Sequence, residues 1–338
     1  MPKYKAAVVG CGRIGLLMEL DPKRIKPATH AGAFKMNEST ELCAFVDIDP
    51  SKLRHASKMF PGVPTYSEVE KMLDECNPDI VSVSTPPENH YLTVIQCAKK
   101  GVKAIICEKP IATTIREAKR MVEFCKRRGS LLFVNHTRRF DPLLNKVRDE
   151  IKNGIIGEIM QVTAYYTAGL FNTGTHLIDL LRMFLGEVSW VSAYREDRAS
   201  SPSGDMNVNG WLMFKSGTPA VIQALDVKDY SIFEIRFLGR GGVVTIDRFG
   251  FSVEYTPVRN CVDFANYREL DVDGRKREGS SRSFMKYLVE HVVDCLEGKS
   301  TPISTGEDGM KALQVLISLK KSAEMNGKRV VIKSLEVD

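Results

Sequence analysis

Residues 6–15 read Ala-Ala-Val-Val-Gly-Cys-Gly-Arg-Ile-Gly, four apolar residues running straight into a G-x-G-x-x-G fingerprint. An apolar strand that stops at Gly10, Gly12 and Gly15 predicts a tight strand-to-helix turn whose backbone can approach a pyrophosphate closely. The backbone N–H groups there, with those of Arg13 and Ile14, would meet its charge at a helix start. A second apolar stretch, Leu42–Asp47, ends on an acid placed to accept hydrogen bonds from an adenosine ribose. The spacing from Gly15 to Asp47 exceeds the usual twenty or so residues. The excess reads as an insertion around Glu19–Thr29, rich in charge and holding Pro22 and Pro27. A carboxylate at Asp47 would repel a 2′-phosphate, which predicts NAD as cofactor; Lys52 and Arg54 nearby keep NADP open as the less favoured choice.

Working outward, the first half alternates strands with amphipathic helices. Lys5–Val9, Leu42–Asp47, Ile80–Ser84, Lys103–Cys107 and Leu131–Val134 are the predicted strands, with helices over Pro50–Met59, Ser67–Glu75, Asn89–Lys100 and Thr114–Arg128. Near-continuous apolar strands separated by helices imply an α/β domain with a parallel sheet covered on both faces, a Rossmann domain over residues 1–135. After that the rhythm changes. A helix from Pro142 to Gly154, a strand Glu158–Ala168 and a helix at 174–185 precede five strands between Val188 and Asp247 joined by glycine turns. Helices at 282–297 and 306–325 follow. Residues 136–338 therefore read as an α+β domain with a large, mainly antiparallel sheet.

Composition narrows the function classes. Of 338 residues, 43% are hydrophobic and 27% charged, a balance that supports ordinary globular cores. No apolar run reaches about 18 residues, and the N-terminus lacks a signal-peptide pattern, so a cytoplasmic protein without a membrane span is expected. The net charge of +6 comes from dispersed cations, and no nucleic-acid motif accompanies them. Arg275, Lys276 and Arg277 form the one basic cluster, read as a solvated loop, with an anionic substrate as the other reading. The eight cysteines form no C-x-x-C pair and predict buried thiols rather than a metal site, although distant ligands could meet in space.

Ligands of an open parallel sheet gather at the carboxyl ends of its strands. Here those ends are Gly10–Gly15, Thr85-Pro86-Pro87, Glu108-Lys109-Pro110 and Asn135-His136. Lys109 is the one amine among them suited to proton chemistry, since desolvation and a cationic ring would both favour its neutral form. Spacing alone favours a surface lysine ahead of a proline turn. In Asn172-Thr173-Gly174-Thr175-His176-Leu177-Ile178-Asp179 the histidine and Asp179 share a helix face, so the carboxylate could fix the imidazole tautomer. Taken alone this pair reads first as a buried, hydrogen-bonded histidine, and Asn172 or Thr173 as helix N-caps.

Together these motifs resemble the glucose–fructose oxidoreductase / inositol dehydrogenase (Gfo/Idh/MocA-type) family of two-domain nicotinamide enzymes. The likeness runs through the fingerprint with Asp47, Thr85-Pro86 with His90, Glu108-Lys109-Pro110, Arg139-Phe140-Asp141-Pro142, Gly154-x-x-Gly157-x-Ile159 and Gly174-x-His176-x-x-Asp179. The resemblance implies a dehydrogenase that exchanges hydride between the nicotinamide and a carbinol carbon of a sugar, sugar derivative or cyclitol. Lys109, His176 and Asp179 would be catalytic; Asn172 and Arg139 would contact substrate; Thr85, Pro86, His90 and Glu108 would line the cofactor cleft with Lys109. It further implies a homodimer or homotetramer joined through the open sheet face. Many members carry aspartate where this chain has Asn172, and an amide cannot carry the proton or charge. Two other readings stand beside it: an enzyme holding NAD tightly for glycoside cleavage or elimination, and a non-catalytic NAD-dependent sensor.

Overall fold

The computed structural model describes residues 3–201 and 204–333. Six strands, β1 (Tyr4–Val9), β2 (Thr40–Val46), β3 (Thr65–Tyr66), β4 (Ile80–Val83), β5 (Ala104–Cys107) and β6 (Leu131–Val134), form one parallel sheet in the order β3-β2-β1-β4-β5-β6. This is the doubly wound order, with the switch point between β1 and β4. Every residue of β4 and β5 is buried. Each large aliphatic side chain so covered contributes about 1.5–3 kcal/mol, which is why the strands read as near-continuous apolar runs. Helices α1 (His30–Met36), α2 (Pro50–Met59), α3 (Val69–Cys76), α4 (His90–Lys99) and α5 (Ile115–Arg128) connect them. Local chemistry sets their ends. Asp49 caps α2 ahead of Pro50, and Thr114 and Glu117 close a capping box on α5, which Gly129 ends at φ 71°.

The expected insertion is present, and its form explains the long spacing to Asp47. The fingerprint opens a single turn, in which Leu16 N–H donates to the Gly12 carbonyl at 3.0 Å. The chain then leaves through a 3-10 turn at Leu17–Leu20 and returns at Thr29. On return, His30 and Ala31 N–H donate to the carbonyls of Ile14 and Gly15, both at 3.1 Å. Those are the bonds that an uninterrupted helix would have made four residues on. One helix has been cut and an excursion spliced into it. The two ends are clasped by Glu19, which accepts from Ala28 N–H at 3.0 Å and Thr29 Oγ1 at 2.7 Å.

Beyond Phe140 the chain continues with α6 (Pro142–Lys152), β7 (Ile159–Tyr166), a π-turn at Leu170–Gly174 and α7 (Thr175–Leu185). Strands β8 (Val188–Arg195), β9 (Val208–Phe214), β10 (Pro219–Ala224), β11 (Phe233–Gly239), β12 (Gly242–Asp247), β13 (Ser252–Asn260), β14 (Arg268–Leu270) and β15 (Lys276–Gly279) follow, then α8 (Phe284–Leu296), α9 (Gly306–Glu324) and β16 (Val330–Val331). These strands and β7 make a second, 10-stranded sheet, antiparallel except where β10 runs parallel to β7. Burial alternates along β9, β10 and β11, the pattern of a sheet with one face on a core and one open. The inner face packs with Leu144 and Val147 of α6 and Leu177 and Leu181 of α7. Tyr194 and Trp211 stand exposed.

Two compact units result: residues up to Phe140 with Ser283–Leu313, and Asp141–Arg282 with the chain from Gln314. The sequence reading closed the first unit at residue 135 and gave the remainder to the second. The structure instead returns α8 to the first unit, where Met285, Leu288, Val289 and Val292 join the core of Val8, Phe34 and Ile106. The basic cluster is likewise no loop. Lys276 and Arg277 lie in β15, and Arg277 is bound to Glu254 at 2.8 Å and Asp247 at 3.2 Å, so strand-borne carboxylates take up its charge. Among the described residues no helix is long and apolar enough to cross a membrane.

Candidate functional site

The three fingerprint glycines do different work. A Cβ on Gly10, which sits at φ 96°, would stand 2.6 Å from the Ser84 backbone; one on Gly15 would stand 1.9 Å from the Gly10 carbonyl oxygen. Both are needed for the turn to close on β4. At Gly12 a Cβ would meet no described atom within 4 Å, so this backbone faces open space that a side chain would fill. A dinucleotide pyrophosphate fits that cradle. Gly12→Ala is therefore expected to melt as the unchanged protein does, yet to weaken NAD by roughly tenfold or more, the worth of one charge-assisted hydrogen bond. Gly15→Ala should instead cost about 1–3 kcal/mol or more of stability by overpacking. Thermal melts beside NAD titrations separate the two; equal loss of stability in both would contradict the assignment.

Asp47 is tied to the fingerprint itself. It is 8% exposed, its Oδ2 accepts from Cys11 N–H at 2.8 Å, and its Oδ1 accepts from Asp49 N–H at 2.9 Å. A carboxylate offers about four acceptor positions, so capacity for ribose hydroxyls remains. Lys52, which kept NADP open in the sequence, has its Nζ 3.6 Å from Asp47 Oδ2. Burial pushes the thiol of Cys11 up to about 12, with the Asp47 charge adding to it; it packs in the core as a neutral group.

The loops after β4, β5 and β6 meet at the carboxyl edge of the first sheet. His90 is fully buried and joins two of them: Nε2 lies 2.9 Å from the Thr85 carbonyl and Nδ1 3.0 Å from that of Pro110. Both ring nitrogens face carbonyl oxygens of its own chain, so His90 ties the loops after β4 and β5 together. Thr85 Oγ1 is buried without a hydrogen-bond partner among the described residues, a polar atom suited to a ligand beside Pro86. Lys109 follows Glu108 directly after β5 and is half-buried. Glu108 is 7% exposed. Its Oε1 receives His30 Nε2 at 2.9 Å and Asn135 Nδ2 at 2.5 Å, and its Oε2 receives the Lys109 backbone N–H at 3.3 Å. Burial alone would raise this carboxyl, but the bonds from His30 and Asn135 and the Lys109 charge hold it below the ordinary glutamate range. His30 was not singled out in the sequence, because the excursion separates it from the fingerprint.

Arg139, read as a substrate contact, belongs to this same unit. Its Nη1 lies 3.3 Å from Asp308 Oδ1, in the first turn of α9. One of the five guanidinium donors is thereby engaged by a carboxylate of its own chain.

In the second unit His176 and Asp179 stand one turn apart on α7, as their spacing requires. Asp179 is 1% exposed, with Arg182 Nη1 3.9 Å away, and Arg182 itself forks onto Glu187. Asn172 lies in the π-turn before α7. It does not cap that helix, since Gly174 holds the N-cap position without a side-chain bond. Its amide nitrogen reaches back to the Ala168 carbonyl at 3.1 Å. Asp205 holds this turn, accepting from the N–H groups of Phe171 at 2.6 Å and Asn172 at 3.0 Å. Gly169, at φ 99°, makes room: a Cβ there would stand 2.4 Å from Asp205 Oδ2. A carboxylate from a distant strand connection is thus bound to the backbone of this turn.

Known proteins match both halves. The sequence profile described as "Oxidoreductase family, NAD-binding Rossmann fold" matches residues 4–136, and its partner, "Oxidoreductase family, C-terminal alpha/beta domain", matches 167–332. The chain is 24% identical to D-apiose dehydrogenase of Paraburkholderia graminis, covering 99% of this chain and 92% of that one. It is 27% identical to myo-inositol 2-dehydrogenase of Thermotoga maritima, covering 95% and 96%. In fold it matches the WlbA dehydrogenase of Bordetella pertussis, solved with NADH and UDP-GlcNAcA, at a TM-score of 0.81 over 99% of each chain with 23% identity. With both profiles matched in order, the chain belongs to the Gfo/Idh/MocA oxidoreductase family and is an NAD-dependent oxidoreductase.

Proposed function

We propose that the protein is a dehydrogenase that transfers hydride between the nicotinamide and a carbinol carbon of a sugar, sugar derivative or cyclitol. The observation that carries this reading is the meeting, at one edge of the first sheet, of the open Gly12 cradle and the Glu108-Lys109 loop anchored through Glu108. The names of relatives that act on D-apiose and myo-inositol support the substrate class. When bound, the nicotinamide supplies the hydride acceptor. His176 takes the proton of the substrate hydroxyl on an imidazole nitrogen, and Asp179 fixes that ring. Lys109 polarises the substrate or relays a proton. Asn172 orients a substrate hydroxyl from its place in the turn that Asp205 holds. Thr85 and Pro86 line the cofactor cleft, and Glu108 borders its nicotinamide end. A panel of polyols, aldoses and cyclitols offered with NAD tests the reading: at least one should build up NADH absorbance, and none doing so would contradict it.

Cofactor choice follows from Asp47. NAD should bind more tightly than NADP, and Asp47→Ser should narrow the gap by removing the charge that opposes a 2′-phosphate. Titration of both dinucleotides into both proteins measures this; equal affinity in the unchanged protein would sink the idea. The exposed sheet face with Tyr194 and Trp211 suits a homodimer or homotetramer, which sedimentation velocity would register. A cytoplasmic setting accords with this chemistry.

A further inference from the structure

Glu108 is joined in the first unit by His30 and Asn135, to which the proposed chemistry gives no purpose. His30 is 0% exposed, Asn135 1% and Glu108 7%. An ionised carboxylate only accepts hydrogen bonds, so both neighbours are forced into one orientation. His30 presents its Nε2–H and Asn135 its amide nitrogen, at 2.9 and 2.5 Å from the same oxygen, Oε1. The other ends, His30 Nδ1 and Asn135 Oδ1, are then buried with no hydrogen-bond partner among the described residues. Leaving two polar atoms so placed opposes stability. Packing the fold does not call for it, whereas holding Oε1 does.

The position of His30 is set by the cofactor turn. Its own N–H and that of Ala31 are bonded to the carbonyls of Ile14 and Gly15, so one residue spans from the fingerprint to Glu108. The spliced excursion leaves this link intact, since the helix resumes at His30 itself.

We infer that His30 and Asn135 are positioning residues that hold Glu108 as a fixed anion, and that this anion biases the bound cofactor toward its oxidised form. The inference rests on the functional reading that puts the nicotinamide end of the cofactor beside Glu108. The nicotinamide ring is cationic in NAD+ and neutral in NADH, so a fixed carboxylate nearby favours the first over the second. At an effective dielectric near 20 and a separation of several ångströms, one charge is worth roughly a tenfold to hundredfold preference. Without its two donors the buried carboxyl would take up a proton or swing away, and the preference would fall.

The test is the ratio of dissociation constants for NAD+ and NADH, measured by separate titrations of the full-length protein and accompanied by thermal melts. Glu108→Gln should shift that ratio toward NADH by about tenfold or more. His30→Leu and Asn135→Leu should each shift it the same way by roughly threefold to tenfold, the scale of one hydrogen bond. His30→Gln restores an N–H donor and should stay within about twofold of the unchanged protein. A merely structural role would lower the melting temperature and weaken both forms alike, leaving the ratio where it was; that result overturns the inference. Should His30→Leu fail to fold, Asn135→Leu and Glu108→Gln decide the matter on the same ratio. A protein that binds both forms with a ratio indifferent to Glu108→Gln refutes this inference alone. Failure of the unchanged protein to bind either form would overturn the functional reading, and this inference with it.

Discussion

Lys109→Met is expected to lower turnover on the identified polyol by roughly 10²–10⁴, the usual scale for a positioned acid–base group, while NAD affinity stays within a few-fold. The split follows from where Lys109 sits. Its backbone is anchored by Glu108 at the end of β5, and methionine keeps an unbranched stem of similar reach. The cleft wall should therefore persist, because its brace is His90 between Thr85 and Pro110, not the lysine head. What goes missing is the amine alone. Steady-state rates beside NAD titrations read the two effects separately, and unchanged turnover would remove Lys109 from the mechanism.

His176→Ala should lower the rate of hydride transfer by a similar roughly 10²–10⁴-fold, whereas Asn172→Ala should chiefly weaken substrate binding. Losing one neutral hydrogen bond costs about 0.5–1.5 kcal/mol, or roughly threefold to tenfold. The structure sharpens this contrast. Gly174, not Asn172, occupies the N-cap of α7, and Asp205 holds the turn through backbone N–H groups that the substitution retains. The melting temperature of Asn172→Ala should therefore barely move, so a kinetic change could not be blamed on a frayed helix. Single-turnover NADH formation measured beside melts of both variants checks the pair. A loss in Asn172→Ala as deep as in His176→Ala would show the proton path to be wrongly assigned.

The parts of this protein that were legible in its sequence share a physical reason. Strands such as Ile80–Val83 and Ala104–Cys107 are buried on both faces, so their composition alone announces a parallel sheet. The capping box at Thr114 and Glu117 and the Asp-Pro starts of α2 and α6 fix helix ends within a few residues, and such signals survive any context. What stayed hidden depended on distance or interruption. His30 reaches Glu108 across 78 positions, and Asp205 reaches Asn172 across 33; no local pattern encodes either pairing. The helix α1 was obscured because its first turn lies before the excursion and its remainder after it. Strands β13 to β15 carry many charged residues on exposed faces, which hides the alternation that would reveal them. For the same reason nothing local shows that Arg277, which is exposed as its context suggests, pairs with Glu254 and Asp247. Motif and order single out Glu108, Lys109, His176 and Asp179 as candidates, whereas the engagement of His90 and Arg139 with their own chain needs coordinates.

On the proposed reading a carbinol C–H of the substrate becomes the hydride on the nicotinamide. It is tested most directly by following deuterium from a substrate labelled at that carbon, in a single turnover with enzyme in excess and the reduced cofactor analysed by mass spectrometry. One deuterium is expected on C4 of the nicotinamide for each molecule oxidised, with slower NADH formation than from the unlabelled substrate. Unlabelled NADH, or label released to solvent while the cofactor stays oxidised, would contradict it.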